Sequence, residues 1–337
     1  MDSIRVAMHG CGNIMNKHAG QSKDIPGVEI VGLCDVSEAS MDRLIERSLG
    51  HLPTPPPKFA DPAEMYAQTG PDAVVIASPH TLHFEHALMA LEHGCHILME
   101  KPMVTELGQA VDLEQRVTNA GRTFCIAYNT PCSAELYTLR EYVRNQTFGK
   151  LKMVCVDLSQ NWYRGTLGSW RQDPSLSGGG QLYDSGAHPL CSLIWTVESD
   201  VDEAYAHIDR LDSPVDINGT ATVRFTNGVF AAIAIAGEGP NGTHGTWIFE
   251  QARIEMNPWM ANFIEIKTLP TPGERGDRIK YPQMLGADGQ PMSNFIAAIR
   301  GEDEPRTTPR NGVQHSQLMD ALYRSAETGQ PARPSVG

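Results

Sequence analysis

Hydrophobic and polar residues alternate in one way along the first part of the chain and in another way along the rest. Up to about residue 127, short apolar runs of strand length are separated by stretches with the periodicity of a helix. Strands that alternate with helices form a parallel sheet with helices on both faces, so this part predicts a doubly wound α/β domain. The apolar runs cover residues 4–8, 28–34, 72–77, 95–99 and 123–127, and the helical patterns cover 13–23, 37–48, 81–93 and 105–120.

The pattern changes after about residue 148, where longer β-rich stretches follow one another. Asn227-Gly228 separates two of them, and this dipeptide is typical of a two-residue hairpin turn. The region therefore predicts an antiparallel sheet. A chain of 337 residues exceeds the usual size of one domain, and we predict two, with the boundary near residues 125–150. The β-rich stretches cover 150–159, 220–225, 229–236, 247–256 and 263–269, and helical patterns return at 291–300 and 311–328.

The composition is that of a globular protein that is not built to bind nucleic acid or membrane. Hydrophobic residues make up 41% and charged residues 20%, and the formal net charge is −13. A surface of this sign repels phosphate backbones and anionic lipid, so we expect neither as a partner.

The seven cysteines form no Cys-x-x-Cys pair, which favours a reducing compartment. Because the sequence shows no signal peptide, lipidation motif or membrane-spanning apolar run, we predict a cytoplasmic location.

The first apolar run leads into a glycine-rich turn of the kind that binds dinucleotides. Gly10 and Gly12 follow the strand at the spacing that lets backbone amides approach a pyrophosphate at the start of the next helix. Asp35 ends the second strand, where a carboxylate binds the ribose hydroxyls of the adenosine and repels a 2′-phosphate. The turn therefore predicts a nicotinamide cofactor, with NAD favoured over NADP. Met15 stands where such turns carry a third small residue, and we expect its bulk to push the helix slightly away from the strand.

Three residues carry the groups that hydride transfer from an alcohol requires: a base for the proton, a cation beside the oxygen and a carboxylate that orients the base. Lys101 follows the fourth apolar run, and the carboxyl ends of parallel strands face the ligand crevice. Asp184 and His188 are four residues apart, which places them on one face of a helix, although Pro189 makes that helix kink or start late. The glycine run at 178–180 suits the close approach of a ligand. The alternatives are a solvated lysine, a capping aspartate and an ordinary polar histidine.

Taken together, these residues resemble the Gfo/Idh/MocA family of glucose–fructose oxidoreductases and inositol dehydrogenases over nearly the whole chain. The resemblance implies an α/β fold class, with an N-terminal Rossmann doubly wound parallel sheet over residues 1–125. It implies a C-terminal α+β domain with an open, mainly antiparallel sheet over 126–337, and a homodimer or homotetramer that uses this sheet. The matching segments are 10–14, Asp35, 77–79, 82–83, Glu100-Lys101-Pro102, 170–171, 177–188, 294–299 and 322–326.

The same resemblance implies roles for individual residues. Lys101 would lie near the nicotinamide and the substrate hydroxyl, His188 would be the general acid/base, and Asp184 would be its partner. The chain departs from many members after Tyr128, where the segment 129–131 reads Asn-Thr-Pro and they carry an arginine. The residues expected to contact the cofactor are Gly10, Gly12, Asn13, Ile14, Asp35, Ser78, Pro79, His83, Glu100, Lys101, Trp170 and Arg171. The residues expected to contact the substrate are Lys101, Tyr128, Tyr163, Asp184 and His188.

Tyr163 is among the expected substrate contacts because it belongs to an aromatic segment that precedes Trp170. Trp162, Tyr163 and Arg164 would line a sugar pocket, with the apolar faces of the rings against the ring hydrogens of the sugar. Packing in the core or at its rim explains the same three residues equally well.

A metal site was the remaining interpretation for the histidine-rich segment. His80, His83 and His86 are spaced by three, so they drift off one face of a helix. No cysteine or carboxylate completes a tetrahedral set with them, and we expect no metal.

The function predicted from these residues is the NAD-dependent oxidation of a secondary alcohol on a sugar, glycoside or cyclitol. A second hypothesis keeps NAD bound and oxidises the sugar only transiently, so that a glycosidic group is eliminated with no net redox change. A third hypothesis is a regulatory nucleotide-binding protein that has lost its chemistry. Lys101, Asp184 and His188 argue against the third, because a protein without chemistry has no need of them.

Overall fold

The computed structural model describes residues 3–270, 278–286 and 289–335, and the chain forms two compact units. The first unit comprises residues 1–104, 108–127 and 290–310, and the second comprises 105–107, 128–289 and 311–337. This division differs from the contiguous ranges 1–125 and 126–337 expected from the sequence. The segment 290–310 joins the first unit because its apolar side chains are buried in that unit's core.

The first unit is built on a six-stranded sheet with the strand order β3-β2-β1-β4-β5-β6, and every pair of neighbours is parallel. This is the order of a Rossmann fold, so the predicted doubly wound parallel sheet is confirmed. The two-residue strand β3 lies outside the predicted elements, because so short a run carries no periodicity. The strands are β1 Ile4–His9, β2 Val28–Cys34, β3 Lys58–Phe59, β4 Ala73–Ile76, β5 His96–Met99 and β6 Phe124–Ile126.

Helices connect these strands, and local signals fix where two of them begin. Ser37 caps α2 by accepting a hydrogen bond from the amide of Ser40. Asp61 caps α3 through the amide of Ala63. The helix predicted over 37–48 continues beyond α2 as a π-helical turn at Ile45–Leu49. The helices are α1 Asn13–Ser22, α2 Glu38–Leu44, α3 Pro62–Thr69, α4 His83–Glu92 and α5 Leu107–Ala120.

The second unit is built on an eight-stranded sheet with the order β14-β13-β12-β11-β7-β10-β9-β8. All neighbours are antiparallel except β7 and β10. The predicted open, mainly antiparallel sheet is confirmed, and Asn227-Gly228 forms the turn between β9 and β10. The strands are β7 Leu151–Ser159, β8 Val201–Asp209, β9 Asn218–Phe225, β10 Phe230–Ala236, β11 Gly242–Phe249, β12 Ala252–Met256, β13 Ile264–Thr268 and β14 Arg278–Lys280.

One face of this sheet is buried under helices of the second unit. Trp195 and Trp247 are fully buried there, and the Trp247 indole nitrogen donates to the hydroxyl of Thr196 over 2.8 Å. The opposite face carries exposed apolar side chains such as Met153 and Phe230. The helices after β6 are α6 Ala134–Arg144, α7 Trp162–Gly165, α8 Pro174–Ser177, α9 Ala187–Val197, α10 Pro291–Ile299 and α11 Pro309–Thr328.

Helix α10 completes the core of the first unit. Met292, Phe295 and Ile296 are fully buried in one cluster with Met8 and Met15. None of the helices in the described ranges is long and apolar enough to cross a membrane.

Candidate active site

The glycine turn of the first unit leaves open space at one position and none at another. Gly10 has a φ of +89°, and a Cβ there would lie 2.6 Å from the backbone carbonyl of Ala77. Only glycine fits this position. A Cβ on Gly12 would meet nothing within 4 Å, although Gly12 lies directly before α1. The space beside Gly12 and the amides at the start of α1 fit the pyrophosphate of a dinucleotide.

Asp35 is held against this glycine turn. One oxygen of its carboxylate accepts from the amide of Cys11 over 2.7 Å, and the other accepts from the amide of Ser37 over 2.8 Å. The side chain of Val36 beside it is 97% exposed. Two backbone donors therefore fix a carboxylate at the end of β2, where the adenosine ribose of a bound dinucleotide lies in Rossmann folds.

Met15, whose bulk led us to expect a slight displacement of α1 from the strand, lies inside the first unit. Its side chain is fully buried among the apolar residues of the first unit, together with Met8 and Leu33. The thioether fills the interior between α1 and the sheet, in keeping with the adaptable packing of methionine.

His83 joins two of the loops that follow the strands. Its Nδ1 lies 2.8 Å from the carbonyl oxygen of Pro102, and its Nε2 lies 2.9 Å from the carbonyl oxygen of Ser78. Burial lowers the pKa of this fully buried imidazole. His83, predicted as a cofactor contact, is therefore a bridge between the loop that contains Ser78 and Pro79 and the loop that contains Lys101.

Glu100 is a buried anion that reaches α1. Its Oε1 lies 2.7 Å from Nε2 of His18, and its Oε2 accepts from the amide of Lys101 over 3.1 Å. Burial raises the pKa of Glu100, but the hydrogen bond from His18 and the charge of Lys101 outweigh it, so the pKa lies below its ordinary value. His18 could not be identified from the sequence, because nothing in its helical pattern distinguishes it from a surface histidine.

A pair of neutral imidazoles lies beneath the glycine turn. The rings of His9 and His86 are 4.0 Å apart, and Nδ1 of His86 lies 2.8 Å from the hydroxyl oxygen of Ser78. Burial and the neighbouring histidines lower the pKa of His9 to about 3 and that of His86 to about 4.

Within the described ranges no group of three or more histidine, cysteine, aspartate or glutamate side chains is placed to hold a metal ion.

In the second unit, Asp184 lies in the turn before α9, because the helix starts late at Ala187. Pro189 then falls in the first turn of the helix, where its missing N–H costs no hydrogen bond. One oxygen of the Asp184 carboxylate accepts from the indole nitrogen of Trp162 over 2.8 Å and from Nε of Arg171 over 2.9 Å. The helix that the four-residue spacing assumed therefore includes His188 but not Asp184.

His188 lies between two aromatic rings. Its imidazole stacks on the indole of Trp259, with 4.8 Å between the ring centroids and 9° between the planes. The Tyr128 ring stands nearly perpendicular to it, at 6.2 Å and 88°. The structure thus brings together Tyr128 and His188, both predicted as substrate contacts, and adds Trp259, which no sequence motif indicated.

The glycine run before Asp184 is packed against protein groups. A Cβ on Gly178 would lie 2.3 Å from the side chain of Thr105, and one on Gly179 would lie 2.4 Å from the ring of Tyr183. A Cβ on Gly180 would lie 1.9 Å from the carbonyl oxygen of Asp216. The expectation that these glycines make room for a ligand is therefore wrong, because neighbouring residues occupy that room.

The side chain of Asp216 holds this glycine run by accepting hydrogen bonds from backbone amides of the segment. The carboxylate is 1% exposed and accepts from the amide of Gly180 over 2.6 Å and from the amide of Leu182 over 2.8 Å. The Tyr323 hydroxyl also donates to it. Asp216 is therefore the anchor of the segment that leads to Asp184 and His188, and no motif in the sequence pointed to it.

Trp162 and Tyr163 belong to the core more than to a pocket. Trp162 is 3% exposed and packs with Val215 and Ile217, and Tyr163 packs against the same cluster. The contribution of Trp162 to the site is the hydrogen bond from its indole nitrogen to Asp184.

Trp170 and Arg171, predicted as cofactor contacts, lie in the short 3₁₀ turn at Trp170–Gln172. The Arg171 guanidinium carbon is 4.7 Å from the centre of the Trp170 ring, and the same side chain forms an ion pair with Asp184. The arginine therefore connects the aromatic ring to the carboxylate.

Two segments of the chain match models of known protein families. Residues 4–128 match the model of an oxidoreductase family with an NAD-binding Rossmann fold, and residues 136–253 match the GFO/IDH/MocA C-terminal domain. The chain belongs to the Gfo/Idh/MocA family. It is an oxidoreductase, and its first unit is an NAD(P)-binding Rossmann domain.

Three relatives illustrate the range of this family. A D-glucoside 3-dehydrogenase of Escherichia coli (strain K12) is 29% identical, and the match covers 97% of this chain and 96% of the relative. A glycosyl hydrolase family 109 protein of Akkermansia muciniphila is 27% identical over 57% of this chain and 42% of its own length. The solved structure of a levoglucosan dehydrogenase, in complex with NADH and L-sorbose, has a TM-score of 0.86 at 18% identity and covers 99% of both chains. At that identity the structural likeness establishes the fold.

Proposed function

We propose that the protein is an NAD-dependent dehydrogenase that oxidises a secondary alcohol of a sugar, glycoside or cyclitol to the ketone. The observation that carries this proposal is the match to D-glucoside 3-dehydrogenase over nearly the whole of both chains. Lys101, Asp184 and His188 supply the groups that the reaction needs, and Gly12 leaves space for a dinucleotide.

The proposed chemistry divides proton and hydride between the protein and the cofactor. His188 takes the hydroxyl proton as the general base, and Lys101 stabilises the oxyanion that develops on that oxygen. Bound NAD supplies the acceptor for the hydride that leaves the same carbon. Asp184, fixed by Trp162 and Arg171, is the carboxylate proposed as the partner of His188. The products are a ketone, NADH and one proton.

We further propose NAD over NADP, because the Asp35 carboxylate repels a 2′-phosphate. The amides of Cys11 and Ser37 hold this carboxylate at the glycine turn, so it has little freedom to move aside. The remaining proposed cofactor contacts are Gly10, Gly12, Asn13, Ile14, Ser78, Pro79, Lys101, Trp170 and Arg171. Glu100 and His83 support these loops from beneath.

The test is a dehydrogenase screen over sugars, glycosides and inositols with NAD and with NADP, followed by the absorbance of the reduced nicotinamide. We expect NADH to form with at least one pyranose or cyclitol, and NADP to react more slowly. The matched variant is Lys101→Ala, which should abolish turnover while NAD binding stays measurable by calorimetry. Full activity of that variant would remove Lys101 from the reaction.

A second candidate function is the cleavage of glycosides with transient oxidation. The match to a glycosyl hydrolase family 109 protein favours it, although that match covers little more than half of this chain. An enzyme of this kind reduces the oxidised sugar again after elimination, so NADH does not accumulate. Product analysis on glycosides separates the two functions: free aglycone without NADH identifies the second, and a keto-glycoside with NADH identifies the first.

The proposed assembly is a homodimer or homotetramer that covers the free face of the second unit's sheet. That face exposes Met153 and Phe230, which a partner copy would bury. Light scattering after size exclusion gives the mass, and Phe230→Arg should lower it to that of a monomer. The cytoplasmic location stays a prediction.

A further inference from the structure

We propose that Trp259 is a positioning residue for His188, which fixes the plane of the imidazole and favours the positive charge that it acquires. The inference rests on the proposed function, in which His188 takes the proton of the alcohol. Trp259 lies far from His188 in the sequence, between β12 and β13, and belongs to none of the segments that carry the family resemblance.

The contact itself is a face-to-face stack. With 9° between the planes and 4.8 Å between the centroids, the indole covers one face of the imidazole, and the Tyr128 ring stands nearly perpendicular to it at 6.2 Å. Two aromatic neighbours at these angles oppose rotation of the imidazole about its own side-chain bond. The direction of its ring nitrogens is thereby fixed, and a base must be aimed at the proton that it takes.

The turn that carries Trp259 is itself firmly held. The side-chain oxygen of Asn257 accepts from the amides of Trp259 and Met260, over 3.0 and 2.8 Å. Ala261 closes the turn with a φ of +47°, a conformation that is unfavourable for a residue with a Cβ. A strained residue persists only where its surroundings enforce it.

Helix α9 holds both members of the stack. Ser192 lies four residues after His188, on the same face of the helix, and its hydroxyl donates to the carbonyl oxygen of Pro258 over 2.6 Å. From the other side, the hydroxyl of Thr130 donates to the carbonyl oxygen of Trp259 over 3.1 Å. The helix that presents the imidazole therefore also holds the turn that presents the indole, and the two rings keep their relative position.

The stack also suits the chemistry. When the imidazole takes the proton it becomes a cation, and a cation over an aromatic face is stabilised by its attraction to the ring electrons. The indole is the most effective of the aromatic side chains in this respect. The stabilisation exists in the protonated state only, so it favours proton transfer and leaves the binding of the sugar unchanged.

The experiment is a double-mutant cycle on kcat, with Trp259→Leu, His188→Ala and the double variant. We expect Trp259→Leu to lower kcat by about tenfold or more, with little change in KM for the sugar or in the affinity for NAD. Trp259→Phe retains a ring and should recover most of kcat. In the His188→Ala background, Trp259→Leu should cause no further loss, because it acts through an imidazole that is then absent. Met260→Ala, an exposed neighbour in the same turn, is the matched control and should behave as the wild type.

The opposite pattern overturns the inference. If Trp259→Leu raises KM, leaves kcat unchanged and adds to the loss of His188→Ala, then Trp259 binds the sugar directly. A second measurement does not depend on activity: the ring current of the indole should shift the NMR signals of the His188 imidazole, and Trp259→Leu should remove that shift. An unchanged signal would exclude the stack. An inactive wild type that shows the shift would reject the proposed function and retain the contact.

Discussion

The two glycine-rich segments of this protein look alike in the sequence and do different things in the structure. At the turn after β1, a Cβ on Gly12 would meet nothing within 4 Å, so the space beside it is open. At 178–180, each glycine lies against a residue of the second unit, and Gly180 touches the backbone of Asp216. A missing side chain therefore leaves open space in one place and makes room for the protein's own backbone in the other. The difference lies in what surrounds the glycine, which the sequence does not display.

Gly180→Ala is the strongest test of this contrast. Its Cβ would lie 1.9 Å from the carbonyl oxygen of Asp216, so the backbone must move and lose the hydrogen bonds of the segment. We expect the free energy of unfolding to fall by more than about 4 kcal/mol, or the protein not to fold. Urea unfolding followed by circular dichroism measures this. A stable Gly180→Ala would mean that the segment is loosely packed, and the contrast would disappear.

Asp216→Asn sharpens the contrast by removing the anchor and leaving the glycines in place. The new amide group has a single acceptor oxygen, and its NH₂ would face one of the two backbone amides that the carboxylate now serves. We expect a loss of about 2–4 kcal/mol in the free energy of unfolding. Tyr323→Phe, which removes a single donor to Asp216, is the graded control and should cost less. Equal losses in the two variants would contradict the assignment of Asp216 as the anchor.

The free energy of unfolding should also depend on pH, because a buried neutral histidine, His9, directly precedes Gly10 in the turn after β1. The pKa of His9 is lowered to about 3, below its ordinary value of 6.5, chiefly by burial. The unfolded chain therefore binds more protons below pH 6.5, and the stabilisation is complete above that pH and is lost as the pH falls toward 3. One such group changes the free energy of unfolding by about 1.4 kcal/mol per pH unit. Denaturation at a series of pH values measures how the free energy of unfolding changes with pH. His9→Gln should reduce this slope, and an unchanged slope would mean that other groups cause the pH dependence.

Gly12→Ala has the smallest expected effect on folding and tests the other half of the contrast. Its φ of −70° is accessible to alanine and its Cβ meets nothing, so the free energy of unfolding should change by less than about 1 kcal/mol. The added methyl group occupies the space proposed for the pyrophosphate, and we expect NAD affinity to fall by about tenfold, or 1.4 kcal/mol. Calorimetry with NAD decides this. Unchanged affinity would mean that the space beside Gly12 is not the cofactor's.

The parts of the site that could be predicted are those whose meaning is local. Gly10 and Asp35 each follow a strand, and parallel strands bring their carboxyl ends to one edge, so their proximity followed from the strand pattern. The two sheets followed from periodicity in the same way. Strand β3 did not, because two residues carry no pattern.

The parts that could not be predicted depend on contacts between distant segments. Trp259 and Asp216 lie in loops with no motif, and their importance comes from His188 and Gly180, which only the folded chain brings to them. His18 was hidden for the same reason. The start of α9 at Ala187 did not follow from the spacing of Asp184 and His188, because spacing says nothing about where a helix begins, although Pro189 indicated a late start.

The return of residues 290–310 to the first unit has a consequence for how the chain is made. The ribosome synthesises residues 1–104 and 108–127 early. Phe295 and its neighbours on α10 emerge only after the whole eight-stranded sheet has been synthesised. During that interval the nascent Rossmann sheet exposes apolar surface that its own distant residues will later cover. We infer that the nucleotide domain, although it comes first in translation, completes its core only when nearly the whole chain has been made, and that chaperones which hold nascent chains protect its apolar surface until then.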